Sequence, residues 1–143
     1  MIKVLKPGLA TSVQDLGREG YYHLGIPPSG ALDQYALRAA NHLVGNPAGA
    51  AALECALVGP ELEFQQDALV AVCGAQMPAL LDGREQRPDT AFTVRAGQVL
   101  RFGFPTAAPV PTWPLPVALM YLRCSAAVLP TRWGRWAGSR GAS

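Results

Sequence analysis

The chain has 143 residues, half of them apolar and 15% charged, which excludes a disordered polymer and suffices for one folded domain. At this length roughly 70% of the extended-chain surface is buried on folding, so neither a disulfide nor a structural metal is required. A formal charge of +2 is too small to direct the chain to nucleic acid or to an anionic membrane.

In chain order, residues 2–5 read as a short strand stopped by Pro7-Gly8, and residues 11–13 as a second brief strand. Gly17, Gly20, Gly25, Pro27, Pro28 and Gly30 make most of the next stretch loop. A helix is predicted over residues 31–43, capped by Ser29 and ended by Gly45-Asn46-Pro47. Leu32, Tyr35, Ala36, Ala39, Ala40 and Leu43 recur at helical spacing and define its expected buried face. Short strands follow at 53–58, 61–64, 69–73, 79–81, 92–94 and 99–102, with hairpin signals at Asp82-Gly83 and Ala96-Gly97-Gln98. One early helix among many short strands predicts a mainly β barrel or sandwich.

Cys55, Cys73 and Cys124 are widely spaced, lack a C-x-x-C pair, and read as reduced thiols without a metal role. The N-terminal MIKVLKPG lacks the apolar core of a secretory signal. The most apolar stretch, 110–122, falls short of the roughly 20 residues of a membrane helix and is broken by Pro111, Pro114 and Pro116. A cytoplasmic location is expected.

Composition changes at Thr106. Residues 1–106 hold all ten acidic residues and eight of the twelve basic ones, for a net charge of −2. The tail, 107–143, carries Arg123, Arg132, Arg135 and Arg140 as its charged residues, together with all three tryptophans and five prolines. It has no apolar period of either kind, and an irregular C-terminal tail is expected.

P-loop, G-x-G-x-x-G, H-E-x-x-H and G-x-S-x-G signatures are absent. A dense string runs from Val4 to Glu54 instead, through Ser12-Val13-Gln14-Asp15-Leu16-Gly17-Arg18, Gly20-Tyr21, Leu24-Gly25, Ser29-Gly30, Asp33, Ala40-Asn41 and Leu43-Val44-Gly45-Asn46. Gly59-Pro60, Gly74-Ala75, Asp82-Gly83 and Ala96-Gly97-Gln98 continue it. These residues resemble the opening part of the biotin-dependent carboxyltransferase family that includes allophanate hydrolase subunit 2, the C component of 5-oxoprolinase and the regulator KipA. The resemblance implies an incomplete cyclophilin-like β-barrel over residues 1–106. It also implies a companion subunit and either carboxyl transfer from carboxybiotin on a carrier domain to a urea-like nitrogen or ATP-dependent opening of 5-oxoproline. A KipA-like regulatory binding module is the alternative.

The candidate substrate-binding residues are Gln14, Asp15, Arg18, Ser29 and Asp33; no catalytic or metal-ligating residue is assigned. Arg18 offers a planar fork suited to a carboxylate or phosphate. Asp15 either takes a proton or orients that guanidinium, or the two form an ion pair that merely holds the loop. Ser29 reads as a helix cap ahead of a nucleophile, and Asp33 as an acidic first-turn residue favoured by the helix dipole. Asn41 and Asn46 read as turn and cap residues, and His23 and His42 as surface residues. Glu54, entering an apolar strand, needs either a structural partner or an active-site role.

In relatives of this kind the chain continues with a segment of the form G-x-R-x-Y-L-A-V-x-G-G. Read one base earlier, Trp113-Pro114 must become Ala, Met120-Tyr121 must become Val, and Trp133-Gly134 and Trp136-Ala137 must each become Gly. With synonymous bases chosen elsewhere, the tail then reads GARTYLAVAGG and onward. Residues 107–143 are therefore read as an out-of-frame tail, and the truncated chain by itself is expected to be inactive.

Overall fold

The computed structural model describes residues 1–104 and the backbone of residues 117–124. Its elements are β1 (Ile2–Lys6), β2 (Ala10–Gln14), a 3-10 turn (Tyr22–Leu24), α1 (Gln34–Val44), β3 (Ala52–Ala56), β4 (Glu61–Phe64) and β5 (Ala68–Gly74). They continue with β6 (Ala79–Leu81), β7 (Arg84–Gln86), β8 (Ala91–Val94), β9 (Val99–Phe102) and β10 (Val117–Cys124). Two five-stranded antiparallel sheets result, in the orders β1-β4-β9-β6-β7 and β2-β3-β10-β5-β8. Among the described residues the fold is mainly β with one α-helix, and the barrel is not closed.

Alternation along the strands builds the core between the sheets. Leu62 and Phe64 from β4, Val70 and Val72 from β5, Val94 from β8 and Leu100 from β9 are buried in one cluster. The intervening β5 residues, Ala71 and Cys73, point to the other face and pack against α1. With both faces covered, β5 becomes the near-continuous apolar run ALVAVCG.

Hairpin chemistry matches the sequence reading. Asp82 and Gly83 both take positive φ, 48° and 83°, as a type I′ turn requires, and they join β6 to β7. The Asp82 carboxylate accepts the Val99 N–H at 3.0 Å and the Gln98 amide at 2.8 Å. Those bonds hold the carboxyl below the usual aspartate range.

Two expectations are corrected on α1. Its N-cap is Asp33, whose Oδ1 accepts the Ala36 N–H at 2.9 Å, and the helix spans Gln34–Val44. Ser29 lies outside it at φ 56°, in a tight loop. The buried stripe is Ala36, Leu37, Ala40, Asn41 and Val44, while Leu32, Tyr35 and Leu43 are exposed. Packing against the outer face of β5 is what buries the 36-37-40-41-44 stripe.

Asn41, fully buried, donates to the Ala48 carbonyl at 3.2 Å and the Ala50 carbonyl at 2.8 Å, and accepts from Asn46 at 3.2 Å. It ties the end of α1 to the approach of β3. His23 and His42 are exposed, and Cys55 and Cys73 are buried free thiols.

The tail contains a strand that its prolines had concealed. Backbone 117–124, the stretch following Pro116, pairs with β3 from Val117↔Ala56 to Met120↔Leu53 and with β5 from Ala118↔Gly74 to Cys124↔Ala68. The rest of the tail lies outside the described residues.

Candidate functional site

Strand register places the first groups. Ser12 stands opposite Glu54 and Gln14 opposite Ala52 across β2 and β3. Ala52 belongs to the cluster under α1, so Ser12, Gln14 and Glu54 share the outer, helix-side face. Gln14 donates from Nε2 to the Ser12 hydroxyl at 3.0 Å.

Beyond Gln14 the chain enters a clasp between two loops. Asp15 Oδ1 accepts the Gly17 N–H at 2.7 Å, and the Asp15 carbonyl accepts the Ala31 N–H at 2.8 Å. The Arg18 N–H donates to the Pro28 carbonyl at 2.8 Å. A Cβ on Gly17 would stand 2.5 Å from the carbonyl oxygens of Pro28 and Ser29, and one on Gly30 would stand 2.5 Å from the Gly17 nitrogen. Only hydrogen fits at either Cα, so the paired glycines permit the two backbones to touch.

The clasp fixes where Arg18 can reach. Its guanidinium donates to the Ser29 hydroxyl across a long 3.4 Å contact, and the residue is exposed. One weak bond leaves most of its five N–H donors open to a ligand. Asp15 and Arg18 do not form an ion pair among the described residues: Asp15 is turned into its own loop, and Arg18 faces Ser29. The loop is therefore held by backbone bonds, the Asp15–Gly17 turn and glycine contacts, and the guanidinium is paired with neither Asp15 nor Glu19 among the described residues.

Glu54, which the sequence left open between two roles, accepts the Leu32 N–H through Oε1 at 2.8 Å. This bond spans 22 residues and pins the second loop to β3. Asp33 is occupied as the helix cap, so of the five candidate residues Arg18 and Ser29 are brought into contact, Gln14 faces Ser12, and Asp15 and Asp33 shape the loops. No sequence signal joined Glu54 to Leu32, which stands 22 residues away in the loop before α1.

The buried thiols offer no nucleophile. Burial pushes Cys55 up to about 11. Burial, reinforced by a hydrogen bond to Asp89 and by the charges of Asp89 and Asp33, pushes Cys73 up to about 12. Among the described residues no group of three or more His, Cys, Asp or Glu side chains is placed to hold a metal, and no helix is long and apolar enough to cross a membrane.

Residues 24–110 match the family described as carboxyltransferase domain, subdomain A and B. The chain is 39% identical over 103 residues to urea amidolyase of Saccharomyces cerevisiae, covering 71% of this chain and 6% of that protein. It is 44% identical over 100 residues to the C component of 5-oxoprolinase from Escherichia coli, covering 70% of this chain and 32% of that component. The solved structure of Kluyveromyces lactis urea carboxylase superposes with a TM-score of 0.77 at 36% identity, covering 85% of this chain and 10% of that one. The chain thus spans a third or less of these curated relatives, and it belongs to the carboxyltransferase domain family, subdomains A and B.

Proposed function

We propose that this chain forms the opening part of a carboxyltransferase or 5-oxoprolinase subunit, in which the Arg18–Ser29 clasp receives the carboxylate of a small substrate or of carboxybiotin. The observation that carries this reading is an exposed guanidinium, paired with no acid among the described residues, on a loop whose position is set by backbone bonds. A planar fork so presented meets a carboxylate with two parallel N–H···O bonds. Ser29 helps aim the fork, Gln14 adds an amide on the same outer face as Glu54, and Glu54 holds the Ser29 loop in place.

Carboxybiotin on a carrier domain would supply the carboxyl group, and its charge fits Arg18. In a 5-oxoprolinase assembly we assign ATP handling to the companion subunit. Exposed Tyr22, Leu24, Leu32 and Tyr35, which flank the clasp in sequence, supply apolar surface for that companion. The same exposed surface suits a KipA-like module that captures a partner protein without turnover.

We also infer that residues 107–143 are read out of frame. The family match ending at residue 110, beside the composition break at Thr106, supports this. The β10 pairing is compatible with it, because ladder hydrogen bonds belong to the backbone and a mostly apolar eight-residue stretch can occupy the slot between β3 and β5. Resequencing codons 100–125 tests it: an indel restoring G-x-R-x-Y-L-A-V supports the inference, and a confirmed frame whose codons cannot yield that string overturns it.

The clasp is tested by titrating acetate and bicarbonate into the chain while following the backbone amide signals of residues 15–31 by NMR. Saturable shifts that vanish in Arg18→Ala and weaken in Arg18→Lys are expected. Equal binding by Arg18→Ala would remove the basis of the assignment.

A further inference from the structure

Among the described residues each sheet ends in two edge strands, β1 and β7 in one and β2 and β8 in the other. An edge strand presents unpaired N–H and C=O groups, and folded chains blunt such edges with charge, proline, bulges or brevity. Three of these edges are blunted. β1 carries Lys3 and Lys6 and breaks register between Val4 and Lys6. β7 has three residues, of which Arg84 and Glu85 are charged. β8 has four, set between Asp89 and Arg95.

β2 has none of these features. Its five residues, Ala10-Thr11-Ser12-Val13-Gln14, include no charge and no proline. Their register with β3 runs unbroken from Ala10↔Ala56 to Gln14↔Ala52. Val13 stands opposite Leu53, which packs on the core between the sheets, so Val13 lies on the core-facing side of β2. It is nevertheless 59% exposed. The apolar layer thus reaches the sheet margin uncovered, beside a backbone with no strand on its outer side among the described residues.

The pattern of β2 names its occupant. A second β2 laid antiparallel about Ser12 puts Ala10 opposite Gln14, Thr11 opposite Val13 and Ser12 opposite its own copy. Each strand residue then has a partner, the core-facing row is β-branched throughout, and no like charges meet. Antiparallel self-pairing of β1 brings the lysines of both copies together instead.

We propose that β2 pairs with β2 of a second copy of this chain, joining two five-stranded sheets edge to edge across a two-fold axis at Ser12. Each edge is used once, so assembly stops at two copies. A five-residue ladder falls well short of the ~800 Å² per partner of a standard interface, so the dimer is weak and reversible. Its dissociation constant is on the order of 100 µM. The proposal does not rest on the Arg18–Ser29 contact and stands whether or not that contact receives a carboxylate.

Sedimentation velocity of the full chain from about 5 to about 500 µM tests it, with amide NMR spectra over the same dilution series. Association that levels off at two copies, with concentration-dependent shifts centred on residues 10–14, is expected. Val13→Lys should weaken the dimer at least about tenfold, because it sets a charge into the apolar row of each copy. Val4→Lys is the matched control: Val4 is 58% exposed on the β1 edge, opposite core residue Leu62, and its replacement should leave association unchanged. Far-UV circular dichroism checks that both variants fold; if Val13→Lys does not, the dilution shifts of the unaltered chain decide. A chain monomeric at about 500 µM would assign the β2 edge to a strand of another protein and overturn the proposal. So would growth beyond two copies, shifts centred away from β2, a folded Val13→Lys variant that associates undiminished, or an equal loss in Val4→Lys.

Discussion

Replacing Gly30 with alanine isolates the contact on which the clasp depends. Gly30 sits at φ 88°, and an added Cβ would lie 2.5 Å from the Gly17 nitrogen, 2.8 Å from its Cα and 2.8 Å from the Leu16 carbonyl carbon. Ordinary contacts between such atoms are ~3.5 Å, so the overlap approaches ~1 Å and falls entirely on backbone. A left-handed conformation costs alanine ~1–2 kcal/mol, and forcing the loops apart adds ~1–3 kcal/mol, for roughly 2–5 kcal/mol in all. Gly97 supplies the control: its φ is 86° and nothing lies within 4 Å of its added Cβ, so Gly97→Ala should cost ~1–2 kcal/mol alone. Urea unfolding followed by far-UV circular dichroism, with unchanged m-values, reads both losses. The difference should be roughly 1–3 kcal/mol in the direction of Gly30. Variants matching within about 0.5 kcal/mol would mean that the loops do not meet as described.

Other consequences are as direct. Asn41→Ala should destabilise by roughly 2–4 kcal/mol, since it removes the donor to the Ala48 and Ala50 carbonyls and an acceptor of the Asn46 amide; the same unfolding assay reads it. Glu54→Ala should speed hydrogen exchange at the Leu32 amide and lower affinity for carboxylate probes, while Glu54→Gln, which keeps an acceptor, restores most of both. Cys55 and Cys73 should label with iodoacetamide at pH 8 far more slowly in the native chain than in urea, as thiols held at about 11 and about 12 carry little thiolate. Because those thiols keep their protons in the folded state after the unfolded ones have lost theirs, stability should fall as pH rises from about 9 to about 12. Asp82 works in the other direction: its lowered pKa contributes stability above the usual carboxyl range, which is lost as pH falls through the folded value, and Asp82→Asn should flatten that acid limb.

Local chemistry in the sequence determined the strands at 61–64, 79–81 and 99–102 and the Asp82-Gly83 hairpin, because alternation and positive-φ turn residues act over two to eight neighbouring positions. Its dense motif from Val4 to Glu54 likewise carried the family. The helix was expected from residue 31 under a Ser29 cap with Asp33 in its first turn; Asp33 is the cap instead, and packing against β5 buries Leu37 and Val44 in place of Leu32, Tyr35 and Leu43. Tertiary structure alone decided that Arg18 meets Ser29 instead of Asp15, that Glu54 holds Leu32, and that residues 117–124 lie between β3 and β5. Each of these contacts joins residues 11 or more positions apart, and which partner is reached depends on sheet register and on where two glycines let backbones touch, quantities with no signature in the neighbouring sequence.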